Sequence, residues 1–471
     1  MGNLHPQLLR RLHAAVGDAG LVVDSAAKTP YESDWLGKWS GRSSIVVRPA
    51  DTAQTAAVMC ICHETHTPVV TQGGNTGMSG GATPDASGAQ VVLSMVRMNA
   101  IRAVDPLNNT LTCEAGALLA HVQAAAQEVD RFFPLSLGSE GSCTIGGNLA
   151  TNAGGIAVLR YGNARALCLG LEVVLPDGRV WHGLRALRKD NTGYDLRDLF
   201  IGSEGTLGVI TAAVLKLSPR PVARATAWVG ARDIQALVGL LAQLQARCGE
   251  RLVAFEMISA PSLALILEHV SEVRAPLAGG HAFHALIELA DTQGEGLAAL
   301  LETSLEQALA EGSVQDAVLS ASGAQTQALW KIREGISQAQ LRAGKAIKHD
   351  IALPISAIAD FVQAADAALR AQQPAVRIIN FGHLGDGNLH YNVLLPLDTP
   401  AELLAEATAQ CNRLVHDLVA AANGSISAEH GVGQLRRDEM RHYKSPVEFD
   451  LMMRIKQSLD PNQIMNPGKL V

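Results

Sequence analysis

The chain has 471 residues, 48% of them hydrophobic, and a formal net charge of -7. That length exceeds a single core and predicts two or three domains, while the hydrophobic content excludes a disordered chain. The acidic balance leaves no basic stripe for a nucleic-acid backbone, and no apolar run approaches the ~20 residues of a membrane span.

The opening stretch, MGNLHPQLLRRLHAAVGDAG, predicts an amphipathic helix, and neither an apolar export segment nor a small-residue cleavage site follows it, so a cytoplasmic location is expected. Seven cysteines scattered through apolar segments suit a reducing compartment, with free and mostly buried thiols. SIVVRP reads as a strand, TAQTAAVMCICHETH as a helix and PVVTQGG as a strand. The helix carries Cys60, Cys62, His63 and His66, which resemble a metal cluster in type but occupy positions where cysteine serves as a small core residue.

Fourteen of the 44 glycines then fall in three stretches, GGNTGMSGG (73–81), GSEGSCTIGGNLATNAGG (138–155) and GSEGTLG (202–208). Bare backbone amides in such loops can approach and cradle the anionic oxygens of a large phosphate-bearing cofactor. No G-x-G-x-x-G and no G-K-S or G-K-T occurs, so neither the Rossmann fingerprint nor a triphosphate loop is present. Gly77 to Gly81 match G-x-S-x-G around Ser79, but GATPDASG cannot start the helix that a nucleophile elbow requires.

GLEVVLPDGRVWHG predicts a hairpin around Pro176, Asp177 and Gly178, and the prolines of LSPRPVARAT mark a linker. Beyond it lie the helix AQTQALWKIREGISQAQLRA, the strand AIKHDIALP and the segment INFGHLGDGNLHYNVLLP, with helices again from about Ala401. The expected domains are 1–218, 219–418 and a C-terminal helical segment 419–471. With Asp386-Gly387 as a two-residue hairpin turn, His383 lies opposite His390, their Cβ atoms ~5 Å apart on one face, and Asn392 shares that face. Two neutral imidazoles so placed can chelate one cation; a satisfied histidine pair on a strand is the other reading.

Taken together, PVVTQGGNTGMSGG, PLSLGSEGSCTIGGNLATNAGG with RYG soon after, IGSEGTLGVIT, GHLGDGNLHYN and SAEHGVG resemble the FAD-dependent D-2-hydroxyacid dehydrogenases of the p-cresol methylhydroxylase and vanillyl-alcohol oxidase fold, closest to the D-2-hydroxyglutarate type. The resemblance covers nearly the whole chain. It implies an α+β architecture, with a two-subdomain FAD-binding domain, a substrate (cap) domain of α/β type with an antiparallel sheet, and the C-terminal helical segment completing the active site. It implies FAD contacts from Gln72, Gly73, Gly74, Asn75, Thr76, Gly77, Met78 and Ser79 in the first loop. In the second loop they come from Leu137, Gly138, Ser142, Thr144, Ile145, Gly147, Asn148, Asn152, Gly154 and Gly155. Glu204, Gly205, Gly208, Ile210 and Asn466 complete the set. Asn75 and Thr76 stand where some members of the fold carry a histidine that tethers the flavin, so a non-covalent FAD is expected.

Oxidising a 2-hydroxyacid removes the hydroxyl proton and passes the C2 hydrogen to the flavin as hydride, and a divalent cation on the hydroxyl oxygen stabilises the developing charge. The resemblance implies Glu429 as a third metal ligand beside His383 and His390, zinc first and manganese, cobalt or iron as alternatives, and His430 as general base. Neighbours in a chain diverge by ~100° to ~180°, which would aim Glu429 and His430 at different targets. Arg333, Ser337 and Lys348 match the arginine, threonine and lysine that grip the far carboxylate of 2-hydroxyglutarate, and Asn392 is expected at the other end. The implied reaction is D-2-hydroxyglutarate to 2-oxoglutarate. D-lactate, D-malate or glycolate are alternative substrates, and a flavin-free metal hydrolase or a serine hydrolase at Ser79 are rival classes. Electron-transfer flavoprotein or a quinone pool is the implied acceptor, and a homodimer is compatible with an open oligomeric state.

Overall fold

A computed structural model describes residues 5–374 and 376–471. The chain forms two compact units, the first from Met1–Gly154, Gly162–Arg220 and Glu429–Val471, the second from Gly155–Tyr161 and Pro221–Ala428. The expected boundary at 218/219 thus lies two residues from the observed one at 220/221. The boundary expected at 418/419 falls inside the helix Ala401–Ala421, and the segment from Glu429 joins the first unit instead of standing apart.

The first unit opens with the helix Pro6–Val16, whose Leu8, Leu12 and Val16 are buried at helical spacing; residues 1–4 of the expected helix lie outside the described residues. Its first sheet holds β1 (Leu21–Val22), β2 (Ser43–Val47), β3 (Val69–Gln72) and β4 (Gln90–Ser94) in the order β1-β2-β4-β3, and both neighbours of β4 are parallel to it. The expected helix between β2 and β3 spans Thr52–Glu64 and starts at Asp51, whose side chain accepts from the Gln54 amide. Parallel strands buried on both faces read as unbroken β-branched runs, and Ile45, Val46, Val47, Val69 and Val70 are each no more than 1% exposed. At roughly 1.5–3 kcal/mol per buried aliphatic side chain, this core holds the end of β3, where the first glycine loop begins.

The second sheet is antiparallel, with β5 (Ile101–Asp105), β6 (Thr110–Glu114), β8 (Cys168–Val174), β9 (Val180–Gly183) and β10 (Val209–Lys216) in the order β5-β6-β10-β8-β9, and a short pair, β7 (Arg131–Phe132) with β11 (Ser218–Pro219), stands beside it. The hairpin read around Asp177 is present as β8 and β9, with Val174 opposite Val180. The C-terminal residues return to β3, where the Val69 amide donates to Ile464 and the Asn466 amide to Val69.

The second unit is an eight-stranded antiparallel sheet of β12 (Ala223–Ala231), β13 (Leu252–Ser259), β14 (Phe283–Asp291), β15 (Asp316–Leu319), β16 (Lys345–Ile347), β17 (Asp350–Ala352), β18 (Arg377–His383) and β19 (Asn388–Leu395). Its order is β15-β12-β14-β13-β18-β19-β16, with β17 also paired to β19. One face packs Ala227, Phe255 and Ile287 against the helices Ile234–Cys248, Leu297–Ala310, Ile358–Gln372 and Ala401–Ala421. The other packs Trp228, Ile258, Leu286, Ile379 and Phe381 against the helices Ala260–His269 and Gly323–Ala343. Period-two alternation therefore assigns Glu256, between Phe255 and Met257, to the face covered by Gly323–Ala343.

Two local expectations are corrected. AIKHDIALP is not one strand: β16 and β17 keep a common register on β19, Ile347 opposite Val393 and Asp350 opposite His390, but are interrupted at Lys348 and His349, where the Asn392 side chain accepts from the His349 amide. The turn between β18 and β19 is not Asp386-Gly387 alone but Leu384–Asp386 in a tight helical turn followed by Gly387 at φ +87°. His383 consequently pairs with Asn388 and His390 with Phe381, so the two histidines are diagonal instead of directly opposed.

Candidate active site

Within the first unit the three glycine loops converge on one cleft of about 990 Å³, part of it open to solvent. Of the residues expected to meet FAD, its walls include Gln72, Gly73, Gly74, Asn75, Thr76, Gly77, Ser79, Thr144, Gly147, Asn148, Glu204, Gly205, Gly208 and Ile210. The loops are packed so tightly that a Cβ on Gly74 would lie 2.0 Å from the Ser142 carbonyl oxygen and one on Gly73 would lie 2.3 Å from Thr144 Oγ1. A cleft lined by bare backbone and small hydroxyls fits the pyrophosphate and ribityl parts of a dinucleotide.

Met78, Leu137, Gly138, Ser142, Ile145, Asn152, Gly154, Gly155 and Asn466 do not line the cleft. Several of them are structural in a specific way. Asn152, at φ +53°, accepts from the Arg165 amide; Ile145 is core; Gly155 belongs to the second unit. Asn466 fastens the cradle through its side-chain amide, which donates to the Gly81 and Glu204 carbonyls at 2.9 and 2.8 Å, and its oxygen accepts from buried Lys469 at 2.8 Å. Thr71, Met95, Cys143, Gly146, Thr151, Ser203 and Val209 also line the cleft; all but Met95 lie in or beside the stretches already singled out.

His430 lines the same cleft. Its loop is held from two sides. Glu204, at φ +51°, accepts the amides of Val432 and Gly433 on separate carboxylate oxygens, both at 2.7 Å, and Ser79 Oγ donates to the carbonyls of His430 and Gly431 at 2.9 and 3.0 Å. Burial pushes the Glu204 carboxyl above its usual value, opposed by those two amides. The Glu204 carboxylate, expected to meet the cofactor, is therefore committed to backbone. The chain between Ser427 and Gly433 is neither helix nor strand, so the expected divergence of Glu429 and His430 is not realised: Glu429 Oε1 and His430 Nε2 are 3.7 Å apart.

In the second unit, buried Glu256 stands directly opposite His383 on adjacent strands. His383 Nδ1 lies 2.8 Å from Glu256 Oε1, while Arg333 Nε donates to Oε2 at 2.8 Å and Nη2, equally near, is poorly aligned. Burial by itself would raise this carboxyl, but the charges of His383 and Arg333 and the hydrogen bond from His383 outweigh it and bring its pKa down to about 2. The Arg333 guanidinium lies over the Phe381 ring at 4.9 Å, and the His383 and His390 rings are 5.7 Å apart, edge to face. Two imidazoles on one face, one steadied by a carboxylate, are a donor set suited to a divalent cation. Asp350 Oδ1 lies 3.9 Å from His390 Nδ1 and accepts from Asn388 at 2.9 Å.

Of the carboxylate clamp, Arg333 is buried and already faces an anion, Lys348 is half-buried and Ser337 is exposed. The Asn392 side chain bridges the His349 amide and Gln340 Oε1. The second unit ends at Ala428, whose amide donates to the Asp350 carbonyl, and Glu429 is the next residue. No motif singles out Glu256, and its one signal in the sequence is that of a lone acid inside the apolar run LVAFEMIS.

Neither decoy survives. Ser79 has its hydroxyl engaged by two carbonyls and no helix follows it. Cys62 is fully buried, its thiol pushed up to about 12 by that burial, and Cys60 bonds Glu64 on the same helix. All seven cysteines are free thiols, and no helix among the described residues is long and apolar enough to cross a membrane.

Residues 43–183 match the family of FAD binding domains, and residues 220–470 match the C-terminal domain of FAD linked oxidases. A D-2-hydroxyglutarate dehydrogenase of Xanthomonas citri pv. viticola is 37% identical over 468 residues, covering 99% of this chain and 97% of its own. The mitochondrial D-2-hydroxyglutarate dehydrogenase of Bos taurus is 39% identical over 451 residues, 96% of this chain and 81% of that one. A mitochondrial Schizosaccharomyces pombe protein, to which D-lactate dehydrogenase is ascribed by name only, is 34% identical over 99% of this chain and 90% of its own. Among solved structures, p-cresol methylhydroxylase matches with a TM-score of 0.78 at 19% identity, covering 98% of this chain and 96% of that one, which establishes the fold. With its flavin-type cleft, its histidine pair on neighbouring strands and its end-to-end likeness to these enzymes, the chain belongs to the FAD-linked D-2-hydroxyacid dehydrogenases, on the p-cresol methylhydroxylase fold.

Proposed function

We propose that this enzyme oxidises D-2-hydroxyglutarate to 2-oxoglutarate, with a second carboxylate of the substrate gripped by Arg333 and Lys348. The observation that carries the reading is the position of Arg333, a buried guanidinium on the same sheet face as His383 and His390. Its Nε and Nη2 edge is turned to Glu256, which leaves the Nη1 donors of a planar five-donor group for another carboxylate. When bound, FAD supplies the hydride acceptor. His383, His390 and Glu429 are the residues that would hold one divalent cation, zinc first, which supplies Lewis-acid stabilisation of charge on the substrate oxygen. His430 takes the hydroxyl proton, and the glycine loops hold the flavin without a covalent bond. Electrons leave to a flavoprotein or quinone acceptor. Seven free thiols suit a reducing compartment, in our reading the cytoplasm.

A second reading, a D-lactate-type enzyme, rests on the Glu256 ion pair: an arginine already neutralised costs less to leave without a substrate anion. Dye reduction across D-2-hydroxyglutarate, D-malate and D-lactate separates the two. The dicarboxylate is expected to have the highest kcat/KM, and Arg333→Ala should erode that preference more than Lys348→Ala, because the Arg333 guanidinium is buried and held in place by Glu256 whereas Lys348 is half-buried. Equal kcat/KM for D-lactate in the unmodified enzyme would overturn the clamp.

A further inference from the structure

The two ends of the proposed substrate site meet at one side chain. Glu256 is 1% exposed, lies opposite His383 in the antiparallel pair of β13 and β18, and spends its two carboxylate oxygens on different partners, Oε1 on His383 Nδ1 and Oε2 on Arg333. An ionised carboxylate only accepts hydrogen bonds, so His383 must carry a proton on Nδ1, and in its neutral ring the lone pair then belongs to Nε2. Phe381, two residues before His383 on the same face, lies under the Arg333 guanidinium and 5.0 Å from the His390 ring, so the cation cannot swing away without disturbing the same strand. We propose that Glu256 is a positioning residue that fixes His383 in its metal-binding tautomer and Arg333 in its carboxylate-facing pose, so that cation affinity and dicarboxylate preference depend on one carboxylate.

This rests on the cation reading above. If Glu256 served only to neutralise a buried arginine, the histidine tautomer would be immaterial to it. Glu256→Gln separates the two roles, since a carboxamide has a single acceptor oxygen and cannot serve both partners. Its amide group, set against Nδ1, would drive the His383 proton to Nε2.

The test uses FAD-loaded protein stripped of metal and titrated with Zn²⁺ against a chromophoric chelator. E256Q is expected to bind Zn²⁺ about 10–100-fold more weakly than the unmodified protein, with FAD still bound and with a smaller D-2-hydroxyglutarate to D-lactate ratio. Undiminished Zn²⁺ affinity in E256Q overturns the proposal while leaving the cation reading intact. Failure of the unmodified protein to bind Zn²⁺ removes the cation reading and the proposal with it. Should E256Q not fold, long-range proton-nitrogen spectra of histidine-labelled, metal-free unmodified protein, assigned with His383→Ala, decide the matter. A proton on Nδ1 of His383 supports the proposal, and one on Nε2 overturns it.

Discussion

Three residues show how far side-chain identity alone carries chemistry. His430 reaches the cleft wall because its loop is pinned by Glu204 and Ser79, not because its neighbour points elsewhere. In its proposed role as general base it should be worth about 100-fold or more in kcat. His430→Ala is therefore expected to lower turnover by that factor with the flavin spectrum unchanged, and near-normal turnover would remove the assignment. His383, His390 and Glu429 stand in motifs that the sequence displays, while their role as cation ligands is the proposal made above. Glu204 was legible as a site residue but not in its role, since nothing local says that a carboxylate will turn to amides 228 and 229 residues away. Glu256 was hidden for the same reason: its partners are 77 and 127 residues distant.

Elements were easier to read than registers. Asp386-Gly387 suits a two-residue turn, but Gly387 at positive φ closes a longer loop equally well, and the pairing moved by two residues. A shift of two preserves the face, which is why His383, His390 and Asn392 still share one although the direct opposition was lost. The glycine loops were legible because their backbone must approach something, and Gly74 shows how closely. A Cβ there would meet the Ser142 carbonyl at 2.0 Å, a clash with backbone that no rotamer relieves. Gly74→Ala should consequently purify with little or no FAD while keeping its far-UV circular dichroism, and full flavin occupancy would show that the first loop does not shape the cradle. In the unmodified protein, acid precipitation should release the yellow chromophore to the supernatant, and colour held in the pellet would contradict a non-covalent flavin.

At the scale of the molecule, length and composition announced more than one core, and the Pro- and Arg-rich linker marked the passage between units. The return of Glu429–Val471 to the first unit was not legible, because an amphipathic helix states which face is buried but not against which body. That return is what gives the flavin cradle its His430 wall and its Asn466 brace. The central claim, that a flavin and a cation act together on a D-2-hydroxy dicarboxylate, is tested most directly by mixing FAD-loaded protein with D-2-hydroxyglutarate without oxygen and following the visible flavin band. Bleaching within one turnover is predicted, slowed by about 100-fold or more after chelation and restored by Zn²⁺. A flavin that stays oxidised with D-2-hydroxyglutarate, or bleaches as fast in thoroughly metal-free protein, would contradict it.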